Sequence, residues 1–209
     1  ESIPCGIFPT EIFLHSTKRI QNLDDFQGLK MRTAGAWAEI AGNLGASTVI
    51  LPGSEVYPAL ERGVIDATEW SSPSVNLPSG FHKIAKYIIM PGVHQPGAVQ
   101  ECPINIEAWN RISKEDQEMV KMAGRLNVLE SWTRYAYHDI DALDQMRAHG
   151  NEFVKLDPAF IKAAHEAAAK WSDAQAAASP WFKRALDNRR KFQTALRENW
   201  SFFRFPIGM

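Results

Sequence analysis

Residues 28–53, GLKMRTAGAWAEIAGNLGASTVILPG, carry the pattern that sets the fold class. Gly28-Leu-Lys-Met-Arg32 reads as a short strand, Ala36 to Leu44 as a helix stopped by Gly45, and Thr48-Val-Ile-Leu51 as a second strand ended by Pro52-Gly53. Strand, helix and strand in that order make a β-α-β unit and place the region in the α/β class. Ser54 then predicts an N-cap for a helix from Glu55 to Arg62, with Pro58 tolerated early in it. Gly63 closes that helix, and Val64 to Ala67 follows as another short strand.

Outward from this unit the two halves of the chain differ in kind. Up to about Pro96, short apolar runs alternate with glycine and proline; after Ser113 the pattern is nearly all helical. Extended segments at Tyr87 to Met90 and Ala98 to Ile106 flank the loop Pro91-Gly-Val-His-Gln-Pro-Gly97, where proline or glycine takes four of seven positions. Such a loop is built to hold position. Ser113 caps a helix running to His149, with Met119, Ala123, Leu126, Leu129 and Trp132 near helical spacing and a kink expected near Gly124. Asp157-Pro158 and Ser179-Pro180 each start a further helix, and small residues line Ala163 to Ala178. The aromatic run Trp200-Ser-Phe-Phe-Arg-Phe-Pro206 is expected to dock on a neighbouring lobe or another subunit.

Composition narrows the function classes. The 209 residues are 45% hydrophobic and 22% charged, and 23 Lys and Arg stand against 24 Asp and Glu, a net charge of −1. That is a globular profile, with room for one large domain or one compact lobe plus an appended piece. Without a concentrated basic patch, nucleic acid is excluded as a partner. No run approaches the ~20 apolar residues that cross a bilayer. The chain starts at Glu1 with no initiator Met or apolar leader, so any targeting peptide is expected to have been removed or to lie outside the sequence. Cys5 and Cys102 permit at most one disulfide, and composition alone favours two buried free thiols.

Several catalytic signatures fail. There is no GxGxxG and no P-loop. His165-Glu166 begins like a zincin helix, but Ala169 occupies the place of the second histidine. No serine or cysteine pairs with a histidine at a recognisable spacing.

What remains is Phe26-Gln-Gly-Leu-Lys-Met-Arg32 followed by the segment from Pro52-Gly-Ser-Glu-Val-Tyr57 through Asp66-Ala-Thr-Glu-Trp70. Together they resemble the solute-binding proteins of tripartite ATP-independent periplasmic (TRAP) transporters, essentially throughout the chain. Glu69-Trp70 and the Pro91 to Gly97 loop are similar to the subgroup that binds 2-oxo or 2-hydroxy monocarboxylates with a metal ion. The resemblance implies a two-lobed periplasmic-binding-protein-like fold, type II-like, in the periplasm, delivering a small organic acid to membrane permease subunits. Complete relatives are longer, and Glu1 to Gly6 resembles a crossing strand in mid-protein. The expected division is therefore 1–97 as the second α/β lobe with its entering strand, 98–178 as the return crossing and helices of a partial first lobe, and 179–209 as a tail able to form a homodimer. The resemblance also makes the strands carrying Cys5 and Cys102 neighbours, where a disulfide would pin the hinge.

The same resemblance assigns the site. Arg32, at the end of a strand where α/β lobes face their crevice, is the carboxylate clamp; taken alone it would read as a surface ion-pair partner. Glu69 supplies a side-chain carboxylate and Trp70 a main-chain oxygen to a cation, and the position 21 residues before Arg32 adds a ligand. That position is Glu11, where relatives often carry glutamine. Two carboxylates plus a substrate carboxylate, less one charge for Arg32, leave two negative charges, which suits Ca²⁺ bridging protein and substrate, with Na⁺ the alternative. Substrate contacts are expected from Arg32, Glu11, Trp70 and His94, with Gln95 beside the last; Trp37 is either a pocket wall or core. Tyr57 and Asp66 read as scaffold. Competing readings are a metal-dependent lyase or hydrolase acting on oxo acids, and a helical assembly module.

Overall fold

The computed structural model describes residues 1–203. The strands are β1 (Ser2–Phe8), β2 (Leu14–Ser16), β3 (Lys30–Arg32), β4 (Ser47–Val49), β5 (Ala67–Thr68), β6 (Tyr87–Met90), β7 (Ala98–Pro103) and β8 (Glu152–Lys155). The helices are α1 (Leu23–Phe26), α2 (Ala36–Asn43), α3 (Gly53–Glu61), α4 (Pro73–Ser79), α5 (Ile106–Arg111), α6 (Lys114–His149), α7 (Pro158–Ala178) and α8 (Pro180–Phe203). No helix among the described residues is long and apolar enough to cross a membrane. The chain divides into two compact units, Glu1–Ala164 and a second beginning at His165.

The first unit holds both sheets. Six strands lie in the order β4-β3-β5-β2-β6-β8, and β1 pairs with β7 in a separate antiparallel ribbon. Strand β3 runs parallel to β4 and β5, and β6 parallel to β8, while β2 is antiparallel to both β5 and β6. The expected β-α-β unit is thus β3-α2-β4. Its strands are shorter than the apolar runs, three residues each, and β4 forms the edge of the sheet, paired with β3 alone.

One hydrophobic cluster gathers Val56, Ala59 and Leu60 of α3 with Ile65, Phe81 and Ala85. On the other side Phe13 meets Phe26 at 6.1 Å and Phe160 at 5.6 Å between ring centroids, the latter two being edge-on to each other at 5.2 Å. Fully burying such rings contributes about 1.5–3 kcal/mol apiece. Asp66 is scaffold as read: its Oδ2 accepts from Lys18 Nζ at 2.9 Å and from the Lys30 amide at 3.1 Å.

Several local expectations are corrected. Helix α3 starts at Gly53 with Pro52 at the N-cap, so Ser54 lies inside its first turn. The extended segment after Ala98 ends at Pro103, because the Asn105 side chain accepts from the Glu107 and Ala108 amides and nucleates α5. Helix α6 runs unbroken from Lys114 to His149. Gly124 serves contact there: a Cβ would stand 2.6 Å from Ile3 Cγ2 and 2.7 Å from the Pro4 carbonyl oxygen. Along α6, Met119, Leu126, Leu129 and Trp132 are exposed. Cys5 and Cys102 are joined in a disulfide, so the free-thiol reading fails, and the bond lies between β1 and β7.

Helix α7 starts at Pro158 and, in the second unit, α8 starts at Pro180, both as read. The Ser179 hydroxyl accepts from the Phe182 amide at 3.3 Å, and Arg190 pairs with Asp173 at 2.7 Å. Trp181, Phe192 and Trp200 of α8 are 77, 65 and 50% exposed, so the face they share on the helix is uncovered. Residues 204–206 of the aromatic run lie outside the described residues.

Candidate functional site

The sheet's direction builds the site. Because β3, β5 and β6 run the same way, Arg32 at the end of β3, Glu69 just after β5 and the loop after β6 emerge on one edge. Strand β2 runs oppositely, so the residues before it reach that same edge, and Glu11 arrives there. Ligands of open α/β sheets bind outside the carboxyl ends of the strands.

At that edge the ionisable side chains of Arg32, Glu69, Glu11 and His94 meet. Arg32 Nη1 donates to Glu69 Oε1 at 3.1 Å and its Nε to the Leu51 carbonyl at 3.4 Å. The guanidinium carbon lies 5.2 Å from the Trp70 ring centroid, a cation-π distance. These bonds engage two of five N–H groups and leave the rest of the fork able to hold a carboxylate. His94 Nε2 is 3.1 Å from Glu11 Oε2 and 3.8 Å from Glu69 Oε2, and Gln95 Nε2 donates to Glu11 Oε1 at 3.0 Å. The rigid loop was read as offering His94 and Gln95 to a ligand oxygen; the structure turns both donors to Glu11.

Backbone contacts hold this set tightly. The Glu11 amide donates to the Gln95 carbonyl at 3.3 Å and the Ile12 amide to the Ser71 carbonyl at 3.2 Å. A Cβ at Gly92 would collide with the Glu11 carbonyl, so only glycine lets the loop lie this close. Trp37 is 8% exposed and packs its ring 5.9 Å from Phe13 and 6.1 Å from His94. It is core that braces the imidazole from behind.

Electrostatics match a cation. Burial pushes the Glu69 carboxyl above its ordinary range; His94 and Arg32 act against that shift, and Glu11 adds to it. A buried carboxylate pair whose one fixed positive partner is a guanidinium, helped by the imidazole and by neutral donors from Gln95 and Thr33, is under-compensated. One oxygen each from Glu11 and Glu69 and one nitrogen of His94 lie within 4.8 Å of one another. Some point therefore lies within about 2.8 Å of all three atoms, close to the 2.3–2.6 Å of calcium–oxygen bonds. The residues present therefore fit a cation. His94 as a third donor, and Gln95 as a prop for Glu11, were not read from the sequence as metal-site residues. The signals pointing to them were the likeness of the Pro91 to Gly97 loop to the metal-dependent subgroup and the density of proline and glycine in it, which marked them as substrate contacts.

Comparison with known proteins gives the same frame. The description "Bacterial extracellular solute-binding protein, family 7" matches residues 10–178. A monocarboxylate 2-oxoacid-binding periplasmic protein from a Nostoc species is 32% identical over 176 residues, 84% of this chain and 48% of that protein. A TRAP periplasmic solute binding protein from Colwellia psychrerythraea, solved with calcium and pyruvate, is 29% identical with a TM-score of 0.85, covering 96% of this chain and 62% of its own. Another from Pseudoalteromonas atlantica T6c, with sodium and pyruvate, is 27% identical with a TM-score of 0.86, covering 97% and 61%. The chain thus spans about half the length of the curated relative and about three fifths of the solved ones. The α/β, periplasmic-binding-protein-like fold class expected from the sequence holds. The chain belongs to the bacterial extracellular solute-binding protein family 7, among TRAP solute-binding proteins.

Proposed function

We propose that this family member is part of a periplasmic receptor that captures a small 2-oxo or 2-hydroxy monocarboxylate between Arg32 and a bound cation, then passes it unchanged to TRAP permease subunits. The observation that carries the reading is the meeting of Glu11, Glu69, His94 and Arg32 at one sheet edge. Arg32 holds the acid's carboxylate through its free N–H groups. Glu11 and Glu69, with the Trp70 main-chain oxygen, hold the cation, and the cation's role is to bridge them to the acid's anionic oxygens.

Ca²⁺ is the ion of choice because Glu11 brings a second full charge, and Na⁺ is the alternative. Relatives solved with pyruvate hold one or the other. Trp70 and His94 complete the wall around the acid. The role is that of a receptor and not an enzyme, because Glu11, Glu69 and His94 are all engaged in holding charge and none is left to work as an acid, base or nucleophile. The uncovered aromatic face of α8 supports a homodimer.

Thermal-shift measurement with pyruvate and lactate, each with Ca²⁺, Na⁺ or chelator, tests the reading. Acid and cation together should raise the melting temperature, since ligand at a hundred times its Kd adds about 2.7 kcal/mol to stability. No shift with any acid and cation pair would refute it.

A further inference from the structure

The long helix α6 touches the site only at second hand, through a buried acid. Asp139 is 8% exposed, and its Oδ1 accepts both the Ser74 amide at 2.8 Å and the Ser74 hydroxyl at 2.6 Å. Ser74 is the second residue of α4, whose N-cap position is Ser72. The Ser72 side chain makes no cap bond, and its buried hydroxyl has no partner among the described residues. A carboxylate from another helix, 65 residues away in sequence, has taken over the capping of α4.

That cap closes a clamp on the segment from Glu69 to Ser74. At its middle, the Ser71 carbonyl accepts from the Ile12 amide at 3.2 Å and from Asn76 Nδ2 at 2.8 Å. At its far end Asp139 holds Ser74. Between Glu69 and those anchors stands the Trp70 peptide.

The same face of α6 is fastened to β1. Gly124 fits against Ile3 and Pro4, Asn127 Nδ2 donates to the Cys5 carbonyl, Ser131 Oγ accepts from the Ile7 amide at 2.9 Å, and Tyr135 packs on Phe8 at 4.6 Å. Asp139 is one turn further along.

We propose that Asp139 is a positioning residue: it fixes the Glu69–Ser74 segment against α6, sets the direction of the Trp70 main-chain oxygen, and ties cation affinity to the crossover ribbon. This rests on the reading of that oxygen as a cation ligand. Groups that orient metal ligands typically change metal affinity by about 10–100-fold when removed.

Calorimetric titration of Ca²⁺ into the 209-residue chain with pyruvate present, alongside thermal unfolding, tests it with Asp139→Ala, Asp139→Asn and Ser74→Ala. Asp139→Ala should weaken Ca²⁺ binding about tenfold or more. Asp139→Asn should restore most of it, because the amide oxygen still accepts both Ser74 bonds. Ser74→Ala, which keeps the amide bond, should show a smaller loss. A lower melting temperature with an unchanged Ca²⁺ Kd in Asp139→Ala would make the residue purely structural and overturn the proposal. So would an equal loss in Asp139→Asn, which would make its charge the cause. Should Asp139→Ala fail to fold, Ser74→Ala decides alone, weakened binding supporting and unchanged binding overturning. Absence of cation binding in the unmutated chain would instead bring down the functional reading itself.

Discussion

Replacing Glu11 with glutamine changes one charge and almost no volume, so it isolates what the second carboxylate does. Glu11 is 4% exposed and holds the Gln95 amide through Oε1, a bond that the glutamine oxygen can keep. The charge is what goes. Two unit charges about 4 Å apart interact by on the order of 4 kcal/mol at an effective dielectric near 20. A divalent ion feels that loss twice and a monovalent ion once, so the difference between them is one such interaction. If relaxation and solvent remove half of it, about 2 kcal/mol remains, roughly a thirtyfold shift in preference from Ca²⁺ toward Na⁺. The assay is competitive calorimetry: Ca²⁺ affinity measured at several Na⁺ concentrations for both proteins, with pyruvate saturating. A ratio of Ca²⁺ to Na⁺ affinity that stays within threefold of the parent would refute the argument, because it would mean that the Glu11 charge does not face the ion.

Arg32→Lys keeps the charge and loses the planar fork, so acid binding should weaken by about 1.5–3 kcal/mol, tenfold or more, with a smaller change in cation affinity; titration of pyruvate at fixed Ca²⁺ reads it. His15 is fully buried with Nε2 3.1 Å from Asn76 Nδ2, and burial, helped by His82, pushes its pKa down to about 3. The unfolded chain, with an ordinary value near 6.5, then binds a proton that the folded one refuses. Stability is therefore full above about pH 6.5 and falls as the pH drops toward 3, by up to about 1.4 kcal/mol per pH unit; urea unfolding of His15→Gln should show a shallower slope in that window. Cys5→Ser with Cys102→Ser opens a link between residues 97 apart and should cost about 2–5 kcal/mol. An unchanged urea midpoint after reduction would count against the bond. Gly92→Ala must push the loop off the Glu11 carbonyl, costing about 1–3 kcal/mol and weakening cation binding with it.

What the sequence made legible was whatever is written in local chemistry. Residues 28–53 spell out strand, helix and strand with their stops, and β3-α2-β4 appears there. Ser113 and Gly150 bracket α6 at the positions where a side-chain cap and a left-handed residue are needed. Strand β2 was not legible, because its three residues Leu14, His15 and Ser16 are all buried and show no alternation. Helix α4 was hidden by Pro73 and Pro78, and its cap lies on another helix altogether. Gly124 carries a role that no local pattern shows, since its close approach to Ile3 and Pro4 exists only in the folded chain.

The family resemblance named Arg32, Glu69 and Glu11 alike, whereas strand order alone reaches only the first two. Arg32 and Glu69 each end or follow a parallel strand, so the rule that ligands sit beyond carboxyl ends reaches them directly. Glu11 precedes its strand and would by that rule lie at the wrong edge; only the reversed direction of β2, wedged between β5 and β6, brings it round. The reversal has an energetic consequence. It sets a second carboxylate beside Glu69 in a place where burial already resists ionisation, and the chain offsets this with His94, Gln95 and Arg32 but with no further cation of its own among the described residues. A fold that concentrates like charge by topology gains the most from an ion that cancels it. Such an ion is what the proposed function sets between Glu11 and Glu69.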